Sequence, residues 1–194
     1  MEKSTIRPYR LAKELSQLFD LESDIDTALS VSMYNLNQFM DSERSSIFLF
    51  EPLKQQLTSF SSLDLAKNEI RIPKSIGVAG WVFEHRKPAI VNNAYEDHRF
   101  FSGVDDKTGF HTHNLVCTPL FDSKDHCLGT LQSLNKNSGD FTADDLEMLD
   151  LTARMVAVAI NNSERYNEIL ISNNVRRKLI KQIMDNIDNV SERQ

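Results

Sequence analysis

Asn114-Leu-Val-Cys-Thr-Pro-Leu-Phe121 and His126-Cys-Leu-Gly-Thr-Leu-Gln-Ser-Leu134 are two apolar, β-branched runs separated by Asp122-Ser123-Lys124-Asp125. Four turn-forming or charged residues between two such runs predict an antiparallel hairpin. The same grammar extends towards the N-terminus. Ala89-Ile90-Val91 reads as a short strand, and Glu69-Ile70-Arg71-Ile72 alternates until Pro73 stops it. Ser46-Ile47-Phe48-Leu49-Phe50 reads as a buried strand, which turns at Glu51-Pro52 and returns over Gln56–Ser62.

Helices flank these strands. Leu11, Leu15, Leu18 and Phe19 recur at helical spacing over 7–19. A second helix runs to Met40 behind an N-cap at Ser23, with Ile25, Leu29, Ser32, Leu36, Phe39 and Met40 on one side. A short helix begins within Ser75–Phe83 and ends near Lys87-Pro88, and another sits inside the long loop from Tyr95 to Thr112. Thr142 caps a final helix, with Asp145 three residues on in the acidic place of a capping box. Hairpin-joined strands between terminal helices predict an α+β fold: an antiparallel sheet of about six strands with the N- and C-terminal helices on one face.

Composition narrows the function. Of 194 residues 40% are apolar and 26% charged, enough for a packed core. Lys plus Arg number 22 against 28 Asp plus Glu, a net charge of −6, which argues against a nucleic-acid binder. The longest apolar run, Met155–Ile160, is six residues, far short of the ~20 that cross a bilayer, and MEKSTIRPYR is no secretory signal. These features predict a soluble, cytoplasmic chain. Cys117 and Cys127 make no disulfide framework and no CxxC. His111 and His113 lack a carboxylate or cysteine at ligand spacing, so no metal site is expected. No phosphate-binding P-loop or nucleophile elbow is present, and no catalytic group is expected.

Gly77-Val78-Ala79-Gly80 opens a helix with a flexible turn, where free backbone N–H groups and the positive dipole end could meet an anion. A plain tight turn is the simpler reading of those four residues alone. Three stretches carry a resemblance: Ile70-Arg71-Ile72-Pro73 with Gly77–Gly80; Phe101-Ser-Gly-Val-Asp-Asp-Lys-Thr-Gly-Phe110 with Thr112 and Asn114; and Asn135-Lys136 with Phe141 and Asp145. Over 21–162 the chain resembles a GAF domain of the cyclic-nucleotide-binding type, as in mammalian phosphodiesterases and cyanobacterial adenylyl cyclases. The last stretch matches the family's Asn-Lys-Phe-Asp-Glu signature except for Leu146 in the place of the Glu. The pairing expected inside it is structural, Lys136 with Asp145.

The resemblance implies a regulatory module that binds a cyclic nucleotide, cAMP in preference to cGMP, and carries no cofactor. Gly77, Val78 and Ala79 would meet the phosphate. Phe101 would line the pocket beneath a lid helix, and Asp105, Thr108 and Thr112 would give polar contacts to phosphate, ribose or ordered water. Arg44 and Ser46 would address the base edge, Phe60 or Ser61 would lie against the purine, and Gln132 stands where relatives often have Glu. Beside it stand two alternatives: a cysteine-dependent free methionine sulfoxide reductase using Cys117 and Cys127, and a ligand-free dimerisation module.

Residues 163–194 carry six basic and five acidic side chains, so 1–162 hold the acidic excess. No glycine follows Gly139 and no proline follows Pro119, so Thr142–Val190 can be one helix. Its heptads place Tyr166, Asn173, Ile180 and Ile187 at one seam position and Ile169, Arg176, Ile183 and Val190 at the other. The organisation expected is an N-terminal helix over 1–20, the domain over 21–162 and a coiled-coil linker over 163–194. That linker would pair in a parallel homodimer and lead to an output domain such as a nucleotidyl or diguanylate cyclase.

Overall fold

In a computed structural model the secondary structure is described for residues 2–21, 24–60 and 70–163. Six strands are β1 (Ser42–Glu51), β2 (Gln56–Phe60), β3 (Arg71–Pro73), β4 (Ala89–Val91), β5 (Leu115–Phe121) and β6 (Cys127–Lys136). They form one antiparallel sheet in the order β3-β2-β1-β6-β5-β4. The β5–β6 hairpin therefore does not stand alone: β6 lies between β5 and β1 at the centre. The long apolar strands occupy that centre, and the three-residue strands form the edges, where few backbone groups remain to be paired.

Helices α1 (Glu2–Leu21), α2 (Ile25–Met40), α3 (Gly77–His85) and α4 (Gly103–Thr108) precede α5, which is described over 143–163. The cap of α2 is Asp24, one residue later than the expected Ser23, because the Asp24 carboxylate accepts from the N–H groups of Asp26 and Thr27. The sheet period of two sorts the side chains. Ile47, Leu131 and Thr118 share one face, where α2 packs on β1 and β6 and the Thr118 hydroxyl donates to the Asp150 carboxylate of α5. Leu29, Met33 and Leu36 of α2, Leu149 and Val156 of α5, and Leu11 and Leu15 of α1 are buried there, worth about 1.5–3 kcal/mol for each large side chain. The expected placement of both terminal helices on one face is what the structure has.

Two elements seat α5. Lys136, at the end of β6, contacts Asp145 at 2.5 Å with both side chains largely buried. The other Asp145 oxygen accepts from the N–H and hydroxyl of Thr142, while Asp145 N–H donates back to the Thr142 hydroxyl. This is a capping box with Asp in the acidic position.

The opposite face carries α3, α4 and the segment before β5. Phe48, Leu57, Ile72, Leu115, Cys117 and Leu134 of the sheet pack there with Val78, Ala79 and Val82 of α3. Among the described residues no helix is long and apolar enough to cross a membrane. The chain divides into a compact unit over 1–159 and a second over 160–194. The predicted linker seam, from Tyr166 to Val190, lies outside the described residues.

Candidate functional site

A cavity of about 70 Å³ lies on the α3 face, floored by the sheet and closed by the segment 100–112. Strand β1 contributes Arg44, Ser46 and Phe48, because alternate residues of a strand share a face. Strand β6 adds Gln132, directly opposite Ser46, and Leu134, opposite Arg44. Gly77, Val78 and Ala79 open α3 at the cavity wall. The lid supplies Phe101, Asp105, Thr108 and Thr112.

Ten sequence-nominated residues thus converge on one cavity. Ser61 and the side chain of Phe60 lie outside the described residues, although Phe60 pairs with Ile47 in the sheet. Sequence reasoning missed much of the apolar lining: Ile70, Ile72, Phe100, Val104, Phe110 and Leu115. Each looks like ordinary core in the sequence, and only the lid's path over the sheet turns core side chains into a lining.

The first turn of α3 has no side-chain cap and no acidic residue. Its leading N–H groups are therefore left for other partners, at the positive end of the helix. Gly77 has φ +75°, a conformation that disfavours any side chain. Gly80 has a different task from the expected approach to an anion. A Cβ there would lie 2.8 Å from the Lys74 carbonyl oxygen, so this glycine lets the preceding turn wrap α3.

Asp105 is the polar centre of the lid and only 6% exposed. Its carboxylate accepts from the Thr112 N–H at 2.7 Å, the Thr112 hydroxyl at 2.8 Å and the Tyr95 hydroxyl at 3.1 Å. Burial, followed by this bond to Asp105, raises the Tyr95 pKa. The Thr108 hydroxyl donates to the Val104 carbonyl and accepts from Phe110 N–H. These three side chains thus bond first to the lid itself: they fasten α4 to the segment that leads into β5.

The loop before α4 is clasped separately. Arg99 pairs with Asp97 at 2.6 Å, and its guanidinium lies over the Trp81 ring of α3 at 4.7 Å. That guanidinium holds the Asp97 carboxyl down to about 2. Phe101 is 46% exposed at the cavity mouth, its ring packed over Gly103, where an added Cβ would approach to 2.4 Å. Arg44 lies over the Phe110 ring at 4.2 Å inside the cavity.

The signature residues hold the lid from below. Asn135, at φ 54°, donates to Glu43 and to the His111 carbonyl and accepts from His113 N–H. Asn92 and Phe141 exchange two hydrogen bonds between the side-chain amide and the backbone. Cys117 is sealed in the core and its thiol is pushed up to about 12 by burial. Burial also raises Cys127, and the two stand in different rows of the hairpin, opposite Gln132 and Phe121. Neither thiol is poised as a thiolate near neutral pH.

An antiparallel six-stranded sheet, helices on both faces and a covered cavity between α3 and the sheet define an α+β fold. The family model for the GAF domain matches residues 24–160, and the chain belongs to that family. It is 30% identical over 162 residues to the dual 3',5'-cyclic-AMP and -GMP phosphodiesterase 11A of Takifugu rubripes, covering 76% of this chain and 18% of that protein. It is 29% identical over 156 residues to the probable 3',5'-cyclic phosphodiesterase pde-5 of Caenorhabditis elegans, covering 73% and 21%. The chain spans about a fifth of the length of these relatives. Among solved structures, the GAF domain of a Coxiella burnetii phosphoenolpyruvate-protein phosphotransferase superposes with TM-score 0.76 at 15% identity, covering 84% of this chain and 98% of that one. A free methionine-R-sulfoxide reductase of Neisseria meningitidis superposes with TM-score 0.71 at 16% identity, covering 86% and 95%. At such identities these two structures speak for the fold alone.

Proposed function

We propose that this domain is a non-catalytic regulatory module whose cavity binds a purine 3',5'-cyclic nucleotide, cAMP in preference to cGMP. The observation that carries the reading is the convergence, on one cavity, of an uncapped helix start, a fastened lid and a polar wall of two adjacent strands. The phosphate would lie at Gly77, Val78 and Ala79, where main-chain N–H groups hold an anion without a basic side chain. Arg44, Ser46 and Gln132 would form the wall against which the base lies, with Phe60 or Ser61 at its edge. Phe101 would cover the mouth, while Asp105, Thr108 and Thr112 hold the lid and reach ribose or ordered water. Two relatives named as cyclic-nucleotide phosphodiesterases support this ligand class.

The cysteine-dependent reductase reading has the weaker chemical support, because burial raises both thiols. Signal output is part of the same proposal. Binding stabilises one lid state, and a parallel homodimer through Tyr166, Ile169, Ile180, Ile183, Ile187 and Val190 passes the difference to a downstream signalling enzyme. Only a ligand with different affinities for two states can do this. Isothermal titration with cAMP and with cGMP tests the binding. Saturable heat with at least one is expected, and no heat with either at millimolar concentration refutes the reading.

A further inference from the structure

Arg44 and Phe110 reach the cavity from opposite walls. Arg44 projects from β1, a strand held on both sides by β2 and β6. Phe110 follows Gly109, whose φ of 72° ends α4, and its N–H is held by the Thr108 hydroxyl. The Arg44 guanidinium carbon lies 4.2 Å from the Phe110 centroid, closer than the reach of about 6 Å for a cation over a ring.

A guanidinium is planar, delocalised and weakly hydrated, so it can occupy an aromatic face much as a nucleobase does. With it in place the cavity is about 70 Å³, against roughly 300–1,000 Å³ for sites that hold a drug-sized molecule. The sheet floor cannot yield cheaply. The long arginine side chain can, together with the C-terminal end of the lid.

We infer that Arg44 is a placeholder: it stacks on Phe110 and latches the lid to β1 until an entering base takes its position on the Phe110 ring. The identity of the incoming ring rests on the cyclic-nucleotide reading, but the latch itself does not. A closed majority state lowers apparent affinity by the fraction of molecules that are open, so removing the latch accelerates association. Any contact that Arg44 makes to bound ligand appears instead in the dissociation rate.

Two variants test this in the full chain. Arg44→Ala removes the plane and the charge, and Arg44→Lys keeps a cation on β1 but loses the plane. Hydrogen exchange of amides 103–110 in the ligand-free protein is expected to quicken about tenfold in Arg44→Ala, the scale of a lost cation–π contact, and by less in Arg44→Lys, whose ammonium can still approach the ring. Stopped-flow association of N-methylanthraniloyl-cAMP is expected to quicken by a similar factor, and Phe110→Leu should speed its dissociation. Unchanged exchange in both arginine variants overturns the latch, and slower association in both overturns the exchange of base for guanidinium. If wild type and variants all fail to associate with the probe, the cyclic-nucleotide reading falls and the exchange measurement alone decides the latch.

Discussion

In the sequence Asp105 is nominated as a polar contact to phosphate, ribose or ordered water. In the fold it is buried and accepts three hydrogen bonds, two of them from Thr112. Removing a buried acceptor that satisfies several donors costs about 1–3 kcal/mol. Asp105→Ala is therefore expected to lower the melting temperature as well as weaken nucleotide binding. Thr112→Ala, which keeps its N–H bond to Asp105, should do less of both; differential scanning fluorimetry with and without nucleotide measures the pair. Gly77→Val is expected to be worse than its position on a surface turn suggests, because φ +75° strains any side chain. Its melting temperature should fall with or without ligand. That ten nominated residues share one cavity was legible because their spacing repeats a family pattern. The internal bonding of Asp105, Thr108 and Thr112 was not, since partner choice depends on where the lid lies.

At the scale of elements, the hairpin and the central strands were readable from β-branched runs and turn residues, and the helices from their periodicity. The edges were less so. Strand β1 begins at Ser42, four residues before the expected start at Ser46, because pairing with β6 extends it through Arg44. That extension is what brings Arg44 into the cavity wall. The loop before α4 has no period at all, and its order comes from the Asp97–Arg99 pair resting on Trp81. Asp97 has a folded pKa of about 2, below its unfolded value near 3.9, so the clasp contributes stability above pH 4 and loses it as pH falls towards 2. Trp81 is the only tryptophan of the chain, so its emission reports this directly. In a His85→Gln background, which removes the imidazole stacked on the indole, emission is expected to hold from pH 8 to about 4 and change below it. Arg99→Ala should show the changed emission at pH 7. Emission that moves mainly between pH 6 and 8 in that background would contradict the clasp.

For the whole molecule, the decisive property is that one sheet serves two layers. The face under α2 and α5 is closed by large aliphatic side chains, and the face under α3 keeps a cavity with polar walls. A ligand that binds only the folded domain stabilises it by about 2.7 kcal/mol at a hundredfold excess over its Kd, so nucleotide should raise the melting temperature in proportion to the logarithm of its concentration. Truncation after Asn162 is expected to abolish dimers in light scattering while leaving that shift intact, if assembly resides in 163–194 and sensing in the domain. The heptad pattern of 163–194, interrupted by Asn173 and Arg176, is a reading of the sequence that lies outside the described residues, so the dimer measurement alone decides it.

The central claim is that a cyclic nucleotide sits beneath 101–112, its phosphate on the main chain of Gly77–Ala79. Crystals of the full chain grown with cAMP, and in parallel with cGMP, test it most directly. The account predicts density for at least one nucleotide in that cavity, with the phosphate at the start of α3 and the ring against Phe110. Crystals in which both ligands are absent from the cavity, with Arg44 still seated on Phe110 at saturating concentration, would contradict it.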